Sequence, residues 1–205
     1  MARGRAAGYD DQRQAILDQA AQLFARHGYS ATSMNQVAEA CGLSKATLYH
    51  YFRDKYSMLV SIADGHVSHL QALVQEPATA GATPRQRLEQ LIHRIVAAYA
   101  DAEHAHRVLT EDVRFLEPQD QARVLDKERQ VVAVFARAVA AVRPELDETG
   151  LAKPLTMLLF GMINWMFTWM KPDGPLDYDA MAPIVADLFL GGLPAVTAPE
   201  TETTT

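Results

Sequence analysis

Cysteine is nearly absent. Cys41 stands alone among 205 residues that include only 11 glycines and 10 prolines. A lone thiol excludes an intramolecular disulfide and any cysteine-based zinc set. Its plain reading is a small buried residue beside a turn. A redox switch would need an exposed thiol of low pKa, and the flanking Ala40 and Gly42 supply no cation. Glycine and proline fall mostly between stretches of apolar periodicity, and no strand-like alternation runs along the chain. Long apolar runs are missing as well. The best candidate, residues 155–170, is shorter than the ~20 residues of a spanning helix and is interrupted by Asn164 and Thr168. Arg3 and Arg5 near the start precede no apolar stretch of the kind a secretory signal requires. The expectation is a cytoplasmic protein with no membrane partner, in which residues 155–170 form a buried helix.

Catalytic signatures are also lacking. There is no glycine-rich phosphate loop, no nucleophile elbow and no convincing set of His, Asp and Glu. A small all-α hydrolase or oxidoreductase is therefore a remote alternative, and no cofactor is expected. His104 and His106 are two apart and would point away from each other on a helix. His66 and His69 are better spaced, but only Asp64 stands near them in sequence, so no metal site is expected.

Basic residues are outnumbered, 19 Lys and Arg against 25 Asp and Glu, for a net charge of −6. As a whole-chain average this argues against nucleic acid. By position it does not. Residues 1–56 hold seven basic and five acidic side chains, a surplus of +2, and the remainder holds twelve against twenty, or −8. An acidic body with a basic head suits a protein that presents one end to phosphate.

What is present is helical periodicity. Hydrophobic residues make up 49% of the chain, enough for a substantial core. The first helix runs from Asp10 or Asp11 to about His27, with Ile16, Ala20, Leu23 and Phe24 at helical spacing and Gly28 ending it. Ser33 and Gln36 form the pattern of a capping box for a second helix that reaches about Ala40. Gly42 breaks it, and Ser44 caps a third helix, Lys45 to about Tyr51. Further helices are expected from near Asp54, after a loop with Pro84 and through Leu88 to Tyr99, over 105–116, from Pro118 to about Val142, over 150–170 and over 179–190. The Thr-rich segment 195–205 reads as a disordered tail.

Two short helices joined by a tight turn at Cys41-Gly42-Leu43, with Val37, Ala38, Leu43 and Leu48 spaced to pack them, are a helix-turn-helix. The second helix of that motif enters the major groove of double-stranded DNA. Its outer face carries Ser44, Lys45, Ala46, Thr47, Tyr49, His50 and Tyr51. Lys45 suits guanine or phosphate, Thr47 a base edge or thymine methyl, and Tyr49 and His50 phosphate. Thr32, Ser33 and Lys55 complete the expected contact set, Lys55 beside the positive end of the fourth helix. The plain reading of the same face is a solvated polar surface, with Phe52 and much of Tyr51 in the core. The domain reading is 1–56 for DNA binding, 57–194 for ligand binding and dimerisation, and 195–205 as tail.

The stretch from Ile16 to Leu59 resembles the DNA-binding domain of TetR-family repressors. The residues carrying the likeness are Ala20-Ala21-Gln22-Leu23-Phe24, Gly28-Tyr29, Thr32-Ser33-Met34, Val37-Ala38, the run from Cys41 to Phe52, and Asp54-Lys55. It departs at Tyr56, where the family often has an acidic residue. The resemblance implies an all-α, nine-helix, Ω-shaped homodimer on a palindromic operator. It further implies that the last two helices form the dimer interface, here Phe167, Met181, Ile184, Val185, Leu188 and Phe189, although plain core packing explains the same stripe. The segment Leu159 to Trp165 with Trp169, followed by Pro172-Asp173-Gly174-Pro175, resembles a subgroup governing acyl-CoA and phenylacetate catabolism. That implies a CoA thioester such as phenylacetyl-CoA as inducer. Phe115, Phe135, Phe160, Asn164, Trp165 and Trp169 would line the acyl tunnel, and Arg107, Arg114 and Lys171 would meet the phosphates. An efflux-pump repressor answering lipophilic drugs is the alternative within the class. A helical bundle that has lost DNA binding is disfavoured by the intact Ser44 to Tyr51 face.

Overall fold

A computed structural model of the chain describes residues 3–171 and 174–197. Among these every regular element is helical, and no strand occurs. The segments are α1 (Arg3–His27), α2 (Met34–Ala40), α3 (Lys45–Tyr51), α4 (Lys55–Gln75), α5 (Pro84–Asp101), α6 (Glu103–Asp112), α7 (Pro118–Val142), α8 (Glu145–Glu148), α9 (Ala152–Asn164), α10 (Met166–Trp169) and α11 (Tyr178–Gly192). Short 3-10 turns follow α6 at Val113–Phe115 and α11 at Leu193–Ala195. With the four-residue turns α8 and α10 set aside, nine helices remain among the described residues, as the periodicity suggests. Most of the expected tail, residues 198–205, lies outside the described residues, as do Pro172 and Asp173.

Two compact units divide the chain: Met1–His69 with Ala102–Lys127, and Leu70–Asp101 with Glu128–Thr205. The first unit is not the linear segment 1–56. Its core joins Ile16, Ala20 and Phe24 of α1 and Leu48 of α3 to Met58, Leu59 and Val67 of α4. Val108 and Leu109 of α6 and Val124 of α7 complete it. Burying a side chain such as Phe24 contributes about 1.5–3 kcal/mol, so α4, α6 and the start of α7 are part of the head's stability. The second unit gathers α5, α8, α9, α10, α11 and the distal parts of α4 and α7 around Leu88, Ile92, Ile95, Phe135, Leu159 and Phe160. Within it α11 packs most extensively on α5.

Three differences from the sequence expectation have local causes. First, α1 begins at Arg3 rather than near Asp10, because Arg3 to Tyr9 holds no proline, and Gly4 and Gly8 weaken a helix without stopping it. Second, the single helix expected over 150–170 is interrupted at Trp165, which caps α9 before the short turn α10. Third, α11 starts at Tyr178 because Asp177 is its N-cap, accepting from the Ala180 amide at 2.8 Å. No helix of the described residues is long and apolar enough to cross a membrane.

Candidate DNA interface

The helix-turn-helix is set by its caps. Ser33 Oγ accepts from the Gln36 amide at 3.3 Å, and the Ser33 amide donates to Gln36 Oε1 at 2.8 Å, closing a capping box on α2. At the other end Gly42 has φ +64°, a left-handed conformation that favours glycine. Its amide donates to Glu39 O at 3.0 Å and the Leu43 amide to Ala38 O at 2.9 Å, the two bonds of a Schellman turn. Ser44 then caps α3, its Oγ accepting from the Thr47 amide at 3.1 Å. Cys41 is half-buried at this turn, and burial pushes its thiol pKa up, opposite to what a reactive cysteine needs.

Leu48 is wholly buried and pins α3 to the head. This orientation turns Ser44, Lys45, Ala46, Thr47, Tyr49 and His50 outward, all exposed, with Tyr51 half-buried beside them. The Lys45 ammonium lies 5.9 Å from the Tyr49 ring centroid. The hydroxyls of Ser44 and Thr47 are 2.8 Å apart. The face therefore combines one cation, hydroxyls, an imidazole and an exposed aromatic, the groups that read base edges and phosphates. Tyr9, which periodicity did not single out, stacks on Tyr51 at 4.7 Å and meets His50 edge-on at 6.1 Å. Only its aromatic character, ahead of the first apolar stripe, could have flagged it.

Two expected contact residues are placed otherwise. Thr32 is buried, and its hydroxyl donates to Gly28 O at 3.0 Å and, more weakly, to Leu23 O at 3.4 Å. Lys55 turns its ammonium inward onto Tyr29 O at 2.6 Å, Thr32 O at 2.7 Å and Ser30 O at 3.2 Å, over the Tyr29 ring. An ammonium has three protons and all three are taken, so Lys55 braces the α1–α2 loop. Burial lowers its pKa, opposed by the nearby charge of Asp112. Ser33 is exposed, but its side chain is committed to the cap. Tyr56, the residue that departs from the family pattern, donates its hydroxyl proton to Asp120 Oδ2 at 2.7 Å and accepts from the Glu117 amide at 2.9 Å.

The expected ligand residues fall into both units. In the first, Arg107 pairs with Glu111 at 3.1 Å, and exposed Arg114 lies over the Phe115 ring at 5.0 Å. In the second, Phe135 and Phe160 pack edge-to-face at 5.0 Å as core residues. Half-buried Asn164 accepts from the buried Tyr99 hydroxyl at 2.9 Å. Burial, with the charge of Glu128, pushes the Tyr99 pKa well up, and burial also raises that of Glu128. Trp165, Trp169 and Lys171 are exposed rather than enclosed. Among the described residues no group of three or more His, Cys, Asp or Glu could hold a metal ion.

The expected interface residues also divide. Met181, Val185 and Phe189 are buried within their own chain, and Phe167 is half-buried. Ile184 and Leu188 are exposed, Leu188 at 64%. On α9 Met157 and Leu158 are exposed too, as is Trp165 at its end, so two neighbouring helices present apolar side chains to solvent.

Comparison with known proteins agrees with this geometry. Residues 16–62 match the description "bacterial regulatory proteins, tetR family", and residues 81–193 match "tetracyclin repressor-like, C-terminal domain". The transcriptional repressor KstR of Mycobacterium tuberculosis is 29% identical over 157 residues, covering 76% of this chain and 71% of its own. A TetR-family transcriptional regulator from Bordetella parapertussis superposes with a TM-score of 0.82 at 34% identity, over 91% of this chain and 98% of its own. AibR, solved with isovaleryl coenzyme A and operator DNA, shares the fold with a TM-score of 0.71 at 24% identity, over 86% of this chain and 97% of its own.

Proposed function

The chain belongs to the TetR family of bacterial regulatory proteins, and from that membership we propose a repressor that binds a palindromic operator as a homodimer and is released by an acyl-CoA thioester. The observation that carries the DNA assignment is the exposed face of α3 set on the fully buried Leu48. Lys45 takes a guanine or phosphate, Thr47 a base edge, and Tyr49 and His50 phosphate, with Ala46 allowing close approach. Lys55 and Thr32 hold the loop behind that face. Residues 1–56 are the DNA-binding segment and 57–194 the regulatory body. Two α3 helices of a dimer would occupy successive major grooves about 34–36 Å apart. The uncovered apolar side chains of α9 and α11 are the surface proposed for dimerisation.

The thioester reading is supported by AibR, which was solved with isovaleryl coenzyme A, and by the part-buried Tyr99–Asn164 pair, which offers a polar end for an acyl carbonyl. Near-complete release requires the ligand to prefer one state by about 5.5 kcal/mol. A second reading, lipophilic drug cations, draws on the half-buried Glu128 near Tyr99.

The test is fluorescence anisotropy of DNA from the gene's own upstream region, titrated with protein and then with phenylacetyl-CoA, isovaleryl-CoA and longer acyl-CoAs. Release by a thioester and not by free CoA supports the effector reading. Tight binding that no thioester disturbs but a lipophilic cation does would replace it with the drug reading. No binding to that DNA would remove the repressor reading for this operator.

A further inference from the structure

The second unit carries a groove of about 250 Å³ between the end of α4, the first turns of α5 and the last turns of α7. Three arginines line it: Arg87 and Arg94 of α5, and Arg137 of α7. Its floor is apolar, formed by Val74, Leu91, Val134 and Ala138. Charge alone makes this unusual. Residues beyond 56 hold twelve basic against twenty acidic side chains, yet one carboxylate, Glu76, faces three guanidiniums here. Several other basic residues of the body are tied to carboxylates: Arg123 and Lys127 to Asp64, Arg107 to Glu111, and Arg143 to Glu145.

The three arginines are not equivalent. Arg94 is fixed, donating to Glu76 O and Pro77 O at 3.1 Å each, with Glu76 Oε2 at a loose 3.9 Å. Arg87 uses only Nε, on Ala82 O at 3.0 Å, which leaves both terminal amino groups for another acceptor. Both Arg87 and Arg137 are exposed and pair with no carboxylate among the described residues.

We propose that this groove binds a small organic carboxylate with an apolar tail. Arg87 and Arg137 hold the head, in the forked geometry that guanidinium and carboxylate share, and the tail lies on the floor. The volume is just below the ~300 Å³ at which small-molecule sites begin, which fits a chain of several methylenes or one ring. Its lining shares no residue with those offered for the thioester, so the proposal does not rest on that reading.

Isothermal titration of the full chain, without DNA, tests it with three probes: octanoate, its neutral analogue octanamide, and acetate. Octanoate should bind saturably, one per chain, with octanamide and acetate at least about tenfold weaker, since each lacks one half of the recognition. The double variant R87Q/R137Q should weaken octanoate by about tenfold or more with an unchanged circular dichroism melt. Ala138→Trp, which fills the floor and keeps every charge, should abolish it. Absence of saturable octanoate binding, equal binding of octanamide, or full octanoate binding in the double variant would each overturn the proposal. Because no operator is present, these outcomes are independent of the release experiment.

Discussion

Lys45 and Lys55 lie ten positions apart in the same head and meet opposite fates. Lys45 is exposed on α3, and Lys55 is folded back on three carbonyls. Lys45→Ala should weaken operator binding and flatten the salt dependence by roughly one counterion, leaving the melting temperature where it was. Unchanged affinity and slope would remove it from the interface. Lys55→Met strands these carbonyls and should cost about 1–3 kcal/mol of stability, read as a drop in the urea midpoint. A variant as stable as the parent would show that the three carbonyls find other partners. A third residue-scale effect comes from α4 and α6. His66 and His106 are buried with ring centroids 5.5 Å apart. Burial, then a neighbouring imidazole, lowers their pKa values to about 4 and about 3. Histidines in the unfolded chain titrate near 6.5. Below that pH the unfolded state takes up protons the folded state refuses, so stability is full above about 6.5 and falls toward 4. Two such sites give a loss of at most about 2–3 kcal/mol per pH unit. Urea midpoints at pH 7, 6 and 5 measure it, and His106→Leu should flatten the slope. An equal slope in that variant would assign the acid sensitivity elsewhere.

Elements were legible where a side chain punctuates them. Ser33 with Gln36, Ser44, Gly28 and Gly42 mark their helix ends in sequence because each acts locally, through a cap bond or a left-handed turn. The same logic gives a prediction. Ser44→Ala removes the only side-chain cap on α3 and should cost about 1 kcal/mol, with operator affinity falling alongside because α3 frays at its reading end. Ser44→Asp, which restores an acceptor, should recover stability but not affinity, since it adds negative charge facing phosphate. Recovery of both would leave the cap as the sole role of Ser44. Where helices are apolar all round, sequence was silent. Residues 152–169 gave no sign of the interruption at Trp165, nor of which side faces the chain's own core. Trp165 and Trp169 therefore read as pocket residues and Met181, Val185 and Phe189 as interface, whereas the tryptophans are exposed and the other three are core. The inward placement of Lys55 and Thr32 was hidden for a related reason: a polar side chain near a reading helix has two uses, and only tertiary contacts favour one over the other.

At the scale of the whole molecule, apolar surface stays uncovered. Exposed Met157, Leu158 and Trp165 lie along α9 and its cap, Ile184 and Leu188 recur at helical spacing on α11, and the two helices touch. Scattered exposed apolar side chains are ordinary, but several on two adjoining helices support the proposal that dimerisation uses this face. Gly161 on α9 and Gly191 and Gly192 at the end of α11 are also exposed, and with no side chain beyond Cα they allow a second backbone to come close. If two copies meet here, Leu188→Glu places two like charges in a desolvated contact and should convert dimer to monomer in sedimentation equilibrium. The helix-turn-helix is remote from residue 188 in sequence and belongs to the other compact unit, so half-site contacts should survive. Operator affinity should nevertheless fall by about 10²-fold or more, because the second half-site is then no longer held at high effective concentration. A Leu188→Glu protein that stays dimeric would move the interface off α11. One that becomes monomeric yet binds the full operator as tightly as before would show that a single α3 carries the recognition.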